Sequence, residues 1–255
     1  MSKFNVNNIT GKQGQQGPVL AGVTTMSSTG SMRIPSGPTE NRGGRGRAVR
    51  CGGRIAPANR SEMDYVEIAT TGDAVTFGDL SAAAGSGGVM SSSTRGVVVM
   101  GWSPNVPSYS TTLEYITYSS SGGVSDFGDL ITARGSLNTS VASNNTRGLV
   151  GGGRISSGAG STNAIEFITI ASTGNTQDFG DMTVLRSHNA QATSSTRSVL
   201  ANGYNKTPST GNYDNQATSE SFTFATLGNS TNFGDMLASG FSPGGTSDSV
   251  RGVWA

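Results

Sequence analysis

The residues best placed to do chemistry recur along the chain. Phe-Gly-Asp followed by Leu or Met stands at Phe77 to Leu80, Phe127 to Leu130, Phe179 to Met182 and Phe233 to Met236. An aspartate in this setting can hold magnesium against a nucleotide. That chemistry also needs a Gly-rich phosphate loop and a catalytic Asp-Asn loop, and the chain carries neither. A motif that returns once per repeat reads as structural. Phe fills a gap between repeats, Gly permits a special backbone angle, and Asp caps a turn or pairs with a charge. Arginine keeps the same beat at Arg47, Arg95, Arg147, Arg197 and Arg251. Asp79, Asp129, Asp181 and Asp235 precede the last four of these by 16 or 18 residues. That is one strand out and one back, so each Asp is expected to meet its Arg as an ion pair at a junction between repeats. A ring of arginines around an anion is the functional alternative.

Other reactive groups are scarce. Cys51 is the only cysteine and His188 the only histidine, which excludes a multi-cysteine zinc site and a His-based metal triad within one chain. Around Arg186-Ser187-His188-Asn189 there is no nucleophile elbow, so His188 reads as a surface or turn residue. Cys51, beside Gly52-Gly53, reads as a small buried side chain. There is no P-loop and no EF-hand loop. Glycoside hydrolysis needs a convergent carboxylate pair, whereas the acids here sit mostly on the structural beat. No enzymatic activity, cofactor or metal is expected.

These residues must be positioned by β-structure. Gly, Ser and Thr make up 104 of 255 residues, a mixture that suits short strands and tight turns and disfavours helix interiors. The formal net charge is +1, so neither disorder driven by charge nor nucleic-acid binding is expected. No apolar run reaches the roughly 20 residues needed to span a bilayer, and the first residues lack a signal-peptide core. Membrane insertion is not expected, and synthesis in a host cytoplasm without a signal peptide is. Ile165 to Ile170 alternates and is rich in β-branched and aromatic residues; Met63 to Ile68, Leu113 to Tyr118 and Ser219 to Phe224 fill the same slot. A Ser/Thr-rich turn carrying Gly follows each, then the Phe-Gly-Asp strand. The small-residue stretches Ala82 to Ser92, Leu137 to Ser143, Asn189 to Ser195 and Phe241 to Ser249 are candidates for a fourth strand.

The phenylalanines of the motif are 50, 52 and 54 residues apart. Four short strands at a period near 50 predict an all-β chain folded as a β-propeller of about five four-stranded blades. The blades are expected at 33–80, 81–130, 131–182 and 183–236. A closing blade is expected from 237–255 together with 19–32, because Val23 to Met32 looks like Ile168 to Gly174 without its Phe-Gly-Asp element, and a shared last blade leaves no open sheet edge. A stacked β-solenoid is the alternative. Residues 1–18 stand apart from the domain at 19–255 as an extended arm, with Phe4, Val6 and Ile9 as its docking contacts.

The order of a strand ending in a Gly doublet, a loop, an aromatic strand, a turn, another strand and then Arg resembles kelch repeats. Arg134 and Arg186 stand where such units often carry their last arginine, while Phe replaces the usual Trp. The repeat over 165–181 also resembles repeats in virion proteins of marine cyanophages, a likeness that extends over about 45–255. Residues 17–47, with Gly17 to Thr25 and Ser27 to Gly30, are similar to an N-terminal segment of such proteins. The resemblance implies a non-enzymatic virion structural protein on the tail, fibre or particle surface, with other virion proteins as partners. The alternative is a receptor-binding module for a host surface glycan. Loops Arg54 to Glu62, Ser103 to Thr112, Arg154 to Asn163 and Tyr204 to Thr218 are expected on one face, where Trp102, Tyr109, Tyr204 and Tyr213 offer surfaces for sugar or protein.

Overall fold

A computed structural model describes residues 19–20, 24–26, 32–33 and 46–255, apart from 69, 103–108, 138–139, 156–159, 207–212, 242 and 249. The expected docking residues Phe4, Val6 and Ile9 lie outside the described residues. The chain forms two compact units, 1–43 and 44–255. In the first, β1 (Val19–Leu20), β2 (Thr24–Met26) and β3 (Met32–Arg33) form one antiparallel sheet in chain order.

The second unit is a series of antiparallel meanders, and its described residues contain no helix. The first sheet holds β4 (Arg47–Ile55), β5 (Ala58–Glu67) and β6 (Val75–Ala84). The second holds β7 (Gly88–Ser91), β8 (Arg95–Val99), β9 (Ser110–Thr117) and β10 (Ser125–Arg134). The third holds β11 (Val141–Ser143), β12 (Arg147–Gly151), β13 (Ala164–Thr169) and β14 (Gln177–Asp181). In the fourth, β15 (Ala190–Thr193) pairs β16 (Arg197–Ala201), and β18 (Tyr213–Thr223) pairs β16, β17 (Tyr204–Lys206) and β19 (Thr231–Gly240). A two-stranded piece, β20 (Gly245–Ser247) with β21 (Gly252–Trp254), ends the chain.

The short small-residue strand is therefore real, at β7, β11, β15 and β20. The uniform count of four strands is not, because the described sheets of this unit have three, four, four, five and two strands. Three of the Phe-Gly-Asp strands also outrun their expected ends, reaching Ala84, Arg134 and Gly240. The expected blade limits at 80, 130 and 236 cut them short. Two of the four expected face loops are in part strand: β4 and β5 pair as far as Ile55 with Ala58, and β17 continues on β18.

One junction repeats between successive sheets. The turn after each aromatic strand lies against the Phe-Gly-Asp of the sheet before it. Gly122, Gly174 and Gly228 donate their N–H groups to the carbonyls of Phe77, Phe127 and Phe179 at 2.7, 2.7 and 2.8 Å. Two residues on, Val124, Thr176 and Ser230 donate to the carbonyls of Asp79, Asp129 and Asp181 at 3.3, 2.8 and 2.9 Å. The motif's glycine follows from this contact. Gly78, Gly128 and Gly180 have φ of 153°, 141° and 142°, and a Cβ there would lie 2.0, 2.4 and 2.5 Å from the next turn's glycine. Each junction also encloses an apolar cluster. Phe77, Phe127 and Phe179 sit in these clusters, edge to face with Tyr65, Tyr115 and Phe167 of their own sheets.

Gly128→Ala is expected to combine positive-φ strain with a clash against backbone that cannot move away. Urea unfolding should show a loss of roughly 2–4 kcal/mol.

Candidate functional site

The arginine and aspartate ladders do not meet. Arg47, Arg95 and Arg147 lie over the rings of Tyr65, Tyr115 and Phe167 of their own sheets, at 4.4, 4.3 and 4.6 Å. Their guanidinium groups reach forward to backbone carbonyls of the next sheet: Arg47 to Tyr118 at 2.9 Å, Arg95 to Ile170 at 3.0 Å and Arg147 to Phe224. Among the described residues, only Arg47 of these three has a carboxylate partner, Glu67 at 2.8 Å. Asp79, Asp129, Asp181 and Asp235 are all exposed. Asp79 and Asp129 accept hydrogen bonds from Ser61 and Thr111 within their own sheets, at 3.5 and 2.9 Å. The expected pairing fails because arginine satisfies itself on an aromatic face and a carbonyl, while the aspartate contributes to the junction through its backbone.

The buried ion pairs belong to other residues. Arg134 and Arg186, which end the second and third repeats, reach Glu166 and Glu220 of the following sheets, the second pair at 2.5 Å. Arg134 also donates to the carbonyls of Gly152 and Ala164, and Arg186 to those of Asn202 and Thr218. Burial lowers both guanidinium pKa values, and the partner glutamate opposes that shift. The glutamates were not singled out in the sequence. Glu114, Glu166 and Glu220 do stand eight residues before Gly122, Gly174 and Gly228, which was a readable signal.

A Gly-X pair recurs on the beat, within β4 and just after β8, β12 and β16: Gly53-Arg54, Gly101-Trp102, Gly153-Arg154 and Gly203-Tyr204. Backbone bridges hold Trp102 to Gly85, Arg154 to Gly135 and Tyr204 to Ser187. Arg54 lies over the Trp102 indole at 5.3 Å. Arg54, Ser86, Trp102, Tyr109, Ser136 and Arg154 line a cleft of about 190 Å³. The expected aromatic face thus divides. Trp102 and Tyr109 share this cleft, whereas Tyr204 is buried and stacks on His188 at 4.8 Å, with Tyr213 and Phe241 edge-on at 4.7 and 5.5 Å. Arg54 and Arg154 open two of the loops expected on this face, and the Gly-X beat marks both, but the aromatic side chains alone were read as its binding groups.

Among the described residues the junction at the other end of the series is half-made. Phe77, Phe127 and Phe179 are 2–3% exposed, but Phe233 is 54% exposed. A Cβ on Gly234 would meet no described atom within 4 Å. Beside it, Arg197, Val199, Phe233, Val250, Arg251 and Trp254 line a groove of about 560 Å³. Arg197 has no side-chain bond or ring contact among the described residues, unlike Arg47, Arg95 and Arg147. Trp254 Nε1 is buried without a described partner.

Among the described residues no group of three or more His, Cys, Asp and Glu is arranged to hold a metal ion. Burial pushes the Cys51 thiol up to about 11, which leaves it protonated and inert at neutral pH. Burial, helped by the charge of Arg154, lowers His188 to about 4. Its imidazole is therefore neutral in the folded chain and gains a proton on unfolding at any pH between about 4 and 6.5. Stability from this residue is complete above 6.5 and is lost as pH falls toward 4, by at most about 3 kcal/mol at about 1.4 kcal/mol per unit. His188 has φ of 55°, a conformation asparagine tolerates. Denaturant unfolding of His188→Asn should show a shallower loss of stability between pH 7 and 4 than the parent. Parallel curves would overturn the assignment.

Arg186→Met alone is expected to cost about 3–5 kcal/mol, since it strands Glu220 as a buried charge. Adding Glu220→Leu should recover most of that loss in the same measurement.

Compared with known protein families and with curated proteins, the chain matches none. What its clefts do has to follow from their own chemistry.

Proposed function

We propose that the chain is a non-enzymatic structural protein of a phage virion, a rigid five-bladed β-propeller docked on the particle through its N-terminal arm and one face. The resemblance of its repeats to cyanophage virion proteins supports the setting. The observation that carries the structural role is the junction. At the three described junctions the Phe and Gly of the motif, the Asp backbone, and Arg and Glu on the same beat hold one sheet against the next, as suits a stiff scaffold.

Register and spacing support the shared closing blade. In complete repeats the beat arginine stands opposite a threonine: Arg95 with Thr117, Arg147 with Thr169, Arg197 with Thr223. Each threonine lies five residues before the turn glycine at 122, 174 or 228. Thr25-Met26-Ser27-Ser28-Thr29-Gly30 has the same spacing. This shared spacing supports a closing blade made of 237–255 and 19–32 over an open solenoid.

Gly234→Ala separates the two. In a closed ring it should destabilise the protein as much as Gly128→Ala, because both glycines then face a turn. A distinctly smaller loss would overturn closure. The docking role is tested by removing residues 2–16. The truncated protein should fold with unchanged thermal unfolding and fail to enter particles assembled in infected cells, whereas efficient incorporation would move the docking site onto the blades.

The second reading is recognition of a host surface glycan. It is favoured by one observation, the cleft between Arg54 and Arg154 with Trp102 in its wall.

A further inference from the structure

The cleft's lining is unusual in its charge. Its described residues supply two guanidinium groups, an indole, a phenol and two hydroxyls, and no carboxylate. Five other arginines of the second unit have acids, Arg47 with Glu67, Arg50 with Asp64, Arg60 with Glu62, Arg134 with Glu166 and Arg186 with Glu220, while Arg95 and Arg147 rest on an aromatic face and a carbonyl. Neither Arg54 nor Arg154 forms an ion pair with a described residue. Two cations lining one small cleft repel each other, so the arrangement favours an anion between them. We propose that the cleft binds a carboxylated sugar ring, the uronic acid unit of a surface polysaccharide. This rests on the glycan-recognition reading and specifies its ligand.

Three features point to this class. First, Arg154 Nε is buried and has no hydrogen-bond partner among the described residues. A buried donor atom without a partner is costly, and a carboxylate supplies the planar, two-oxygen acceptor that a half-buried guanidinium fits. Second, Trp102 is anchored through its backbone carbonyl. Its carbonyl accepts from Gly85 N–H at 2.9 Å and from Asn59 Nδ2 at 2.8 Å. With Arg54 stacked above it, the indole presents a fixed flat surface for the C–H face of a sugar. Third, Ser86 and Ser136 enter the cleft from left-handed backbone, with φ of 56° and 55°. Their carbonyls are committed to the N–H groups of Leu137 and His188 at 3.0 and 3.4 Å. Their hydroxyls bond no described residue and are available to ring hydroxyls.

Size and charge narrow the choice. About 190 Å³ is below the roughly 300 Å³ at which pockets for drug-sized ligands begin, so the cleft takes one ring with its substituents. A single-stranded nucleic acid also uses arginine and aromatic stacking. It needs a basic groove that follows several phosphates, which a two-arginine cleft does not offer.

The test is calorimetric titration of the full chain with a galacturonic acid trisaccharide, the neutral galactose trisaccharide and a single-stranded oligonucleotide. The acidic trisaccharide should bind at least about tenfold more tightly than the neutral one. Arg54→Met and Arg154→Met should each weaken acidic binding by about tenfold or more, and Trp102→Ala should weaken both sugars. Arg54 is exposed, so Arg54→Met keeps the test valid if Arg154→Met fails to fold. Equal binding of the two sugars, tighter binding of the oligonucleotide, or no binding of the acidic sugar at millimolar concentration would each overturn the proposal. Adhesion of the full chain to host cells is measured in parallel. If the chain adheres without binding uronate, the ligand is wrong and glycan recognition stands; if it neither adheres nor binds any sugar, both fall.

Discussion

Everything in the second unit depends on a backbone meeting backbone. At each junction a turn glycine of one sheet lies on the motif glycine of the sheet before it, close enough that no Cβ fits between them. Two N–H to carbonyl bonds per junction satisfy polar groups that would otherwise be buried unpaired. This contact has no side-chain freedom, so it fixes both the spacing and the angle of neighbouring sheets. The apolar clusters then close around it, with one phenylalanine per motif as the central piece.

Charge is distributed around that contact according to burial. Where an arginine is fully buried, at Arg134 and Arg186, it has a glutamate from the next sheet and two carbonyls. Buried pairs of this kind add little net stability, but losing one partner is costly, so they favour one arrangement of sheets over its alternatives. Where the arginine is only partly buried, at Arg95 and Arg147, an aromatic face and a carbonyl suffice. The same economy makes the Arg54 and Arg154 cleft distinctive, because there the cations converge without an acid.

The two ends of the series are chemically unlike. After the fourth sheet, Phe233 is exposed, and Gly234 and the Arg197 side chain meet no described partner. Before the first sheet, Gly72 lacks the positive φ of Gly122, Gly174 and Gly228. Gly234 keeps a φ of 141° with no described neighbour over it.

Strand identity, the 50-residue beat and the structural role of Phe-Gly-Asp were legible in the sequence. They follow from local pattern: alternation in Ile165 to Ile170, a glycine in every turn, a motif repeated too often to be catalytic. The small-residue strands at β7, β11, β15 and β20 were also legible as positions, though not as lengths. Partner choice was not. Spacing places Asp129 and Arg147 one strand apart, but only the packed structure shows the arginine turned onto Phe167 and a carbonyl of the next sheet. Glu166 meets Arg134 across 32 residues for the same reason: an ion pair is decided by which side chains a junction buries together. The cleft at Arg54, Trp102 and Arg154 draws single residues from three repeats, so no segment of the sequence contains it. Local chemistry determined the elements of this protein, and the geometry of stacking one sheet on the next decided which of their side chains meet.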